Sequence, residues 1–205
     1  MRKKVSVDIQ LINVGSSGDI NTISDFPYGM ALITSYLRSK GFDALMLQYK
    51  TDCEEGTKQN QLEEILENSA YLYGFQVNFE NYPDIRELIK LIKEKNPDGK
   101  FVFGGPFTVS LYEKLLKNDP NLDAVVLGEG EYTTADLLGH LKEGLDSWNM
   151  VQGLARLGPD GNIIMNPHRK SIQDMNAMPF AARDEIESEV RDRQGSIMAD
   201  VRITT

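Results

Sequence analysis

The sequence predicts an α/β fold: a five-stranded parallel sheet, doubly wound by helices, with a C-terminal β-hairpin and an extended tail. Three observations predict it. Short apolar runs alternate with amphipathic helical stretches five times between Val7 and Lys142. Two of the runs stop at glycines before a helix, at Phe101-Val102-Phe103-Gly104-Gly105-Pro106 and at Val126-Leu127-Gly128-Glu129-Gly130-Glu131. From about residue 145 the pattern changes to two short strands around Gly158-Pro159-Asp160-Gly161, a hairpin with an Asp-Gly turn.

The first strand is expected over residues 7–14, on Val7, Ile9, Leu11 and Ile12. It ends in Gly15-Ser16-Ser17-Gly18-Asp19, the start of a long loop to Pro27. A βα loop of this length is often functional, and a plain surface loop is an equal reading. Residues 28–40 form the first helix, with Met30, Ile33 and Leu37 inward and Gly41 as its stop. A second strand follows over 43–49, a helix over 59–68 on Leu62, Ile65 and Leu66, and a third strand over 70–77. Asp84 and Glu87 read as the capping box of the next helix, whose inward face is Ile85, Leu88, Ile89 and Ile92. Ser110 and Glu113 read as a second box after the Gly-Gly turn. A fifth strand at 124–127 and a helix over 133–142 complete a Rossmann-like unit in flavodoxin-like strand order, with right-handed crossovers. Trp148 and Met150 are expected to pack the hairpin on the sheet. Residues 184–193 read as a short charged helix and 197–205 as a strand without a visible partner.

The chain has 205 residues and a net charge of −9. Nucleic-acid binding needs phosphate neutralisation, so this charge speaks against it. The one cysteine, Cys53, permits no internal disulfide and no three-thiolate cluster, and suits a reducing, cytoplasmic compartment. The basic start is followed by a run broken by Ser6, Asp8, Gln10 and Asn13, which is neither a signal peptide nor a membrane span.

Glycines at strand ends let a ligand approach the backbone, and ligands of open α/β sheets bind at the strands' carboxyl ends. Each such turn also has a plain reading as a tight βα connection. Gly105 is either the residue over which a ligand passes or a supplier of positive φ, and in the second role Asn would replace it mildly. The third strand ends Gln76-Val77-Asn78 and the fifth Leu127-Gly128, without the aspartate and lysine of a response regulator. Gly15-Ser16-Ser17-Gly18 imitates an FMN phosphate loop weakly. There is no Gly-x-Gly-x-x-Gly after the first strand and no P-loop. Glu54-Glu55 and Glu63-Glu64 read as solvated faces, and no Ser/His/Asp or Cys/His arrangement emerges.

Taken together, Pro27-Tyr28-Gly29, Lys40-Gly41-Phe42, Phe103-Gly104-Gly105-Pro106, Gly128-Glu129-Gly130-Glu131 and Gly153-Leu154-Ala155 resemble the N-terminal cobalamin (B12)-binding domain of B12-dependent radical SAM proteins. The resemblance covers about residues 7–179. Met178-Pro179-Phe180 to Arg183 is similar to that family's linker, and Phe107 stands where the family often has histidine. The resemblance implies a division into a cobalamin-binding α/β domain (1–145), a hairpin and linker (146–183) and a tail (184–205) leading toward a radical SAM domain absent from this chain. It implies a metal-binding cofactor, cobalamin, held at Gly15, Ser16, Ser17, Tyr28, Gly29, Gln76, Val77, Asn78, Gly104, Gly105, Pro106, Gly128, Glu129, Gly130 and Glu131.

Gln76, Val77 and Asn78 would then face the ring from below. No Asp-x-His-x-x-Gly follows the first strand, so the implied cobalamin is base-off with no histidine on cobalt, and His140 and His168 read as structural or surface residues. A [4Fe-4S] cluster and S-adenosylmethionine would belong to a missing domain or to a partner protein. The reaction implied for the full system is methyl transfer or rearrangement. The alternative is a degenerate relative that keeps the fold as a docking or substrate-recognition module and is not catalytic.

Overall fold

The computed structural model describes residues 6–15, 27–144 and 147–182. Ser16 and Ser17, the expected helix at 184–193 and the expected strand at 197–205 lie outside the described residues.

Strands and helices alternate as expected: β1 (Val7–Gly15), α1 (Tyr28–Ser39), β2 (Ala44–Lys50), α2 (Glu55–Glu67), β3 (Ala70–Gln76), α3 (Tyr82–Lys95), β4 (Lys100–Gly104), α4 (Pro106–Asn118), β5 (Ala124–Val126) and α5 (Gly130–Lys142). The hairpin follows as β6 (Leu154–Leu157) and β7 (Ile163–Met165). The strand order is β2-β1-β3-β4-β5-β6-β7. The first five strands run parallel in flavodoxin-like order. The hairpin is no separate appendage. Its β6 pairs antiparallel with β5, matching Val125 with Ala155, so the sheet has seven strands rather than five. Leu127 N–H donates to the Gly153 carbonyl at 2.8 Å and prolongs that pairing. A three-residue β5 would otherwise present an open edge.

Three helices start earlier than the sequence suggests. Helix α2 begins at Glu55 and α5 at Gly130. Helix α4 begins at Pro106, where a proline loses no hydrogen bond, so Ser110 and Glu113 lie inside the helix and form no capping box. The Thr108 hydroxyl instead donates to the Gly105 carbonyl at 2.8 Å. Asp84 lies in the first turn of α3 and caps nothing. Asn78 and Asn81 order that turn: Asn78 Oδ1 accepts from the N–H groups of Glu80 and Asn81, and Asn81 Oδ1 accepts from Asn78 N–H at 2.8 Å. Buried Asn81 also donates to the carbonyls of Val14 and Gln76, tying the ends of β1 and β3 together.

Strand residues alternate between two cores. Ile12, Val14, Tyr73, Phe75, Phe101, Phe103 and Val125 pack with α2, α3 and α4. Ile9, Leu11, Leu72, Val102, Ala124 and Val126 pack with α1 and α5. Trp148 is buried in this second core, whereas Met150 is 69 % exposed and packs nothing on the sheet.

Candidate functional site

On the α1/α5 face a cleft of about 300 Å³ opens at the carboxyl ends of the strands. Leu11, Gly74 and Val102 are neighbours in register across β1, β3 and β4, and together with Val126 they line its depth. Gly29, Met30 and Ile33 of α1 form one wall, and Gly130, Glu131 and Thr134 of α5 the other. Gln76, Gly104, Gly105, Pro106, Gly128 and Glu129 surround the opening.

Glycines hold this space open in different ways. Among the described residues, a Cβ added at Gly104 would meet only Val126 Cβ, at 4.0 Å, and one at Gly128 would meet nothing within 4 Å. At Gly130 it would come within 2.6 Å of Ile33 Cδ1, so this glycine sets how closely α5 approaches α1. Gly105 has φ 101° and ψ 167°, a region essentially confined to glycine. That is not the left-handed helical conformation that Asn accepts, so Asn is not a mild replacement there. A Cβ at 105 would also crowd Gln76 Cγ at 3.2 Å.

The cleft is apolar except for a few groups. Glu131 is 9 % exposed, and among the described residues its Oε2 has no hydrogen-bond partner. Burial pushes its carboxyl up from the ordinary 4.5, and the charge of Glu129 adds to this, against the pull of its own backbone N–H. Glu129 is exposed, and its Oε2 accepts from Ile172 N–H at 2.6 Å. Arg169 bonds the Thr133 hydroxyl at 3.2 Å and pairs with Asp136. The segment after the hairpin is thereby strapped across the start of α5. It reaches α1, where Ala182 N–H donates to the Ala31 carbonyl at 3.0 Å.

Nine of the residues singled out from the sequence line this one cleft: Gly29, Gln76, Gly104, Gly105, Pro106, Gly128, Glu129, Gly130 and Glu131. Gly15, Tyr28, Val77 and Asn78 do not line it. Val77 is buried in the opposite core, and the Asn78 side chain is spent on its own turn. The sequence reading missed Leu11, Met30, Ile33, Gly74, Val102, Val126 and Thr134 as cleft residues. Gly74 carried a signal, a glycine inside an aromatic strand, which marks a close approach. Neither histidine lines the cleft. His140 Nδ1 is 2.6 Å from Ser147 Oγ, and His168 is exposed. Among the described residues no three of His, Cys, Asp and Glu come together as metal ligands, and no helix is long and apolar enough to cross a membrane.

An α/β sheet in this order, with a glycine-rimmed apolar cleft at its carboxyl edge, defines a ligand-binding domain of the Rossmann-like class. Residues 26–138, more than half of the chain, match the B12 binding domain family. The chain belongs to that family, and the resemblance to B12-dependent radical SAM proteins read from the glycine motifs is borne out. It is 27 % identical over 153 residues to the anaerobic magnesium-protoporphyrin IX monomethyl ester cyclase of Rubrivivax gelatinosus, covering 73 % of this chain and 27 % of the relative. It is 28 % identical over 166 residues to the cytidylyl-2-hydroxyethylphosphonate methyltransferase of Streptomyces wedmorensis, covering 73 % of this chain and 31 % of the relative. The chain thus spans less than a third of these relatives' length. The fold matches OxsB, a cobalamin-dependent S-adenosylmethionine radical enzyme solved with aqua-cobalamin and S-adenosylmethionine bound. The TM-score is 0.71 at 22 % identity, over 92 % of this chain and 26 % of that one.

Proposed function

We propose that this chain is the cobalamin-binding module of a B12-dependent radical SAM enzyme that transfers a methyl group or rearranges its substrate. The [4Fe-4S] cluster and S-adenosylmethionine are then held by another domain or a partner protein, and the cytoplasm is the matching compartment for a chain with a free, half-buried Cys53. The observation that carries the reading is the cleft itself, which, Leu11 apart, is lined by residues within the family match and opens at the sheet's carboxyl edge.

The residues present fit the group. Gly104 and Gly128 leave open the space a Cβ would fill, and Glu131 holds a buried oxygen that the described chain leaves unsatisfied. A cleft of about 300 Å³ is at the small end of ligand pockets, too small for a corrin ring and wide enough for its nucleotide tail. Gly29, Gly104, Gly105 and Gly128 would pass the tail into the sheet, and Gln76 would stand at the mouth beside the ring. Bound cobalamin supplies a cobalt centre that can carry a methyl group. The chain's own residues bind and orient it and exclude water from the slot with Leu11, Met30, Val102 and Val126. Neither histidine lines the slot, so the chain would hold the tail without an imidazole there, which suits a base-off cobalamin with no histidine ligand.

Titration of hydroxocobalamin into the purified chain, followed by gel filtration and absorbance, tests this. Stoichiometric uptake is expected. Electron paramagnetic resonance of the Co(II) form should show no nitrogen superhyperfine splitting. Failure of the folded chain to retain cobalamin would turn the reading to a non-catalytic docking module.

A further inference from the structure

The cleft is built from aliphatic side chains and glycines, and buried in its α5 wall is one carboxyl group. Glu131 is the second residue of α5; it lines the cleft and is buried. Its Oε2 has no partner among the described residues. Leaving a buried polar atom unsatisfied costs stability, so such an atom in a native cleft calls for a partner that arrives later. Thr134, one turn on, is also buried and also lines the cleft. The two side chains are stacked on the same stripe of α5. Among the described residues nothing cationic lines the cleft beside them, and Glu129 stands at the same helix start. An anionic group such as a phosphate would meet two carboxyl groups there, so a helix start that would ordinarily attract a phosphate is set against one.

We propose that Glu131 is the specificity-determining polar contact of the slot, and that its buried carboxyl pairs with a neutral hydroxyl or N–H of the ligand's nucleotide tail rather than with its phosphate. The sugar hydroxyls have this chemistry. The assignment rests on the cobalamin reading above and adds which part of the ligand the α5 wall recognises. The unpartnered Oε2 accepts from a hydroxyl or N–H, and a carboxamide of the same shape keeps an acceptor oxygen at that place.

The test compares two corrinoids: hydroxocobalamin, which has the nucleotide tail, and cobinamide, which lacks it. Both are titrated into the parent chain and into Glu131→Gln, Glu131→Ala and Glu131→Leu. The Ala and Leu variants should bind hydroxocobalamin about tenfold more weakly than the parent, the effect of one good buried hydrogen bond. Their cobinamide affinity should equal the parent's. The Gln variant should stay within about threefold of the parent for both. Thermal unfolding without ligand supplies a second readout. If the carboxyl awaits a ligand, Glu131→Leu is as stable as the parent or more so, since it removes an unsatisfied buried group.

Unchanged hydroxocobalamin affinity in Glu131→Ala overturns the assignment, and so does an equal loss for both corrinoids. A lower unfolding temperature in all three variants would show that the carboxyl serves the fold instead. A parent chain that binds neither corrinoid removes the cobalamin reading and this assignment with it. A parent that binds while Glu131→Ala matches it removes the assignment alone.

Discussion

The two faces of the sheet carry the same strands and are finished in opposite ways. On the face covered by α2, α3 and α4, the alternating positions are aromatic. Tyr73 stacks on Phe101 with ring centroids 5.1 Å apart, and Phe103 meets both Phe75 and Tyr82 edge-on at 6.2 Å. On the face covered by α1 and α5, the same strands present Leu11, Gly74, Val102 and Val126. Small and aliphatic residues under two helices do not fill the carboxyl end, and the cleft is what remains. One face holds the domain together, and the other gives up packing for access. Substitutions of similar size should therefore cost stability on one face and affinity on the other.

The largest contrast sets Phe103→Ala against its neighbour Gly104→Val. Phe103 is fully buried, and removing a buried Phe side chain costs about 3–5 kcal/mol. Chemical denaturation should show that loss, a large part of the stability of a domain this size. Gly104 faces the open side, where a Cβ has only Val126 near it. Gly104→Val should unfold within a few degrees of the parent, yet bind hydroxocobalamin at least tenfold more weakly, about 1.4 kcal/mol. Full affinity in that variant would mean the tail does not pass over β4. Gly105 belongs to neither class. Its backbone conformation costs any side chain on the order of 1–3 kcal/mol, so Gly105→Asn and Gly105→Ala should both lose stability before affinity is at issue. A Gly105→Asn chain as stable as the parent would contradict that.

Acidity separates the faces in a gentler way. Burial raises the Glu131 carboxyl above its ordinary 4.5 in the folded chain, while the unfolded chain keeps the ordinary value. Between the two values the folded state binds more protons than the unfolded one. Its stability is therefore greatest below about 4.5 with respect to this group and falls as pH rises through the raised value. Unfolding midpoints of the parent and Glu131→Gln should converge below that pH and separate above it, with Gln the more stable. Parallel pH profiles would show that the group does not titrate in this window.

Much of this contrast was legible in the sequence, unevenly. Alternating elements, the flavodoxin-like order and the glycine turns were readable because periodicity and Gly/Pro punctuation are local. The turns after β4 and β5 pointed to the carboxyl edge, and nine of the named residues do meet there. The opposite wall was not readable. Met30 and Ile33 look like any inward helical face, and Leu11 and Val102 like any buried strand; only the tertiary placement of α1 against α5 leaves them lining a cleft. Capping boxes misled for a different reason. Ser110 and Glu113 have the spacing of a box, but Pro106 opens α4 a turn earlier. The joining of the hairpin to β5 also escaped, since strand pairing across 27 intervening residues leaves no local trace: Val126 pairs with Leu154.

The smallest expected effect sharpens the comparison most, because stability and affinity should move in opposite directions. Gly29 is exposed in the first turn of α1 and lines the cleft. Among the described residues a Cβ there would meet nothing within 4 Å, and its backbone is ordinary helix. Alanine is the better helix former, by up to about 1 kcal/mol in a helix interior and less at an end. Gly29→Ala should therefore raise the unfolding midpoint of the ligand-free chain slightly. The same methyl group projects into the space through which the nucleotide tail would pass. Hydroxocobalamin affinity should fall by about threefold, well under 1.4 kcal/mol, while cobinamide binding stays at the parent's level. A gain in both stability and affinity would show that the tail enters along the α5 wall alone, and that Gly29 is left over from packing rather than kept for access.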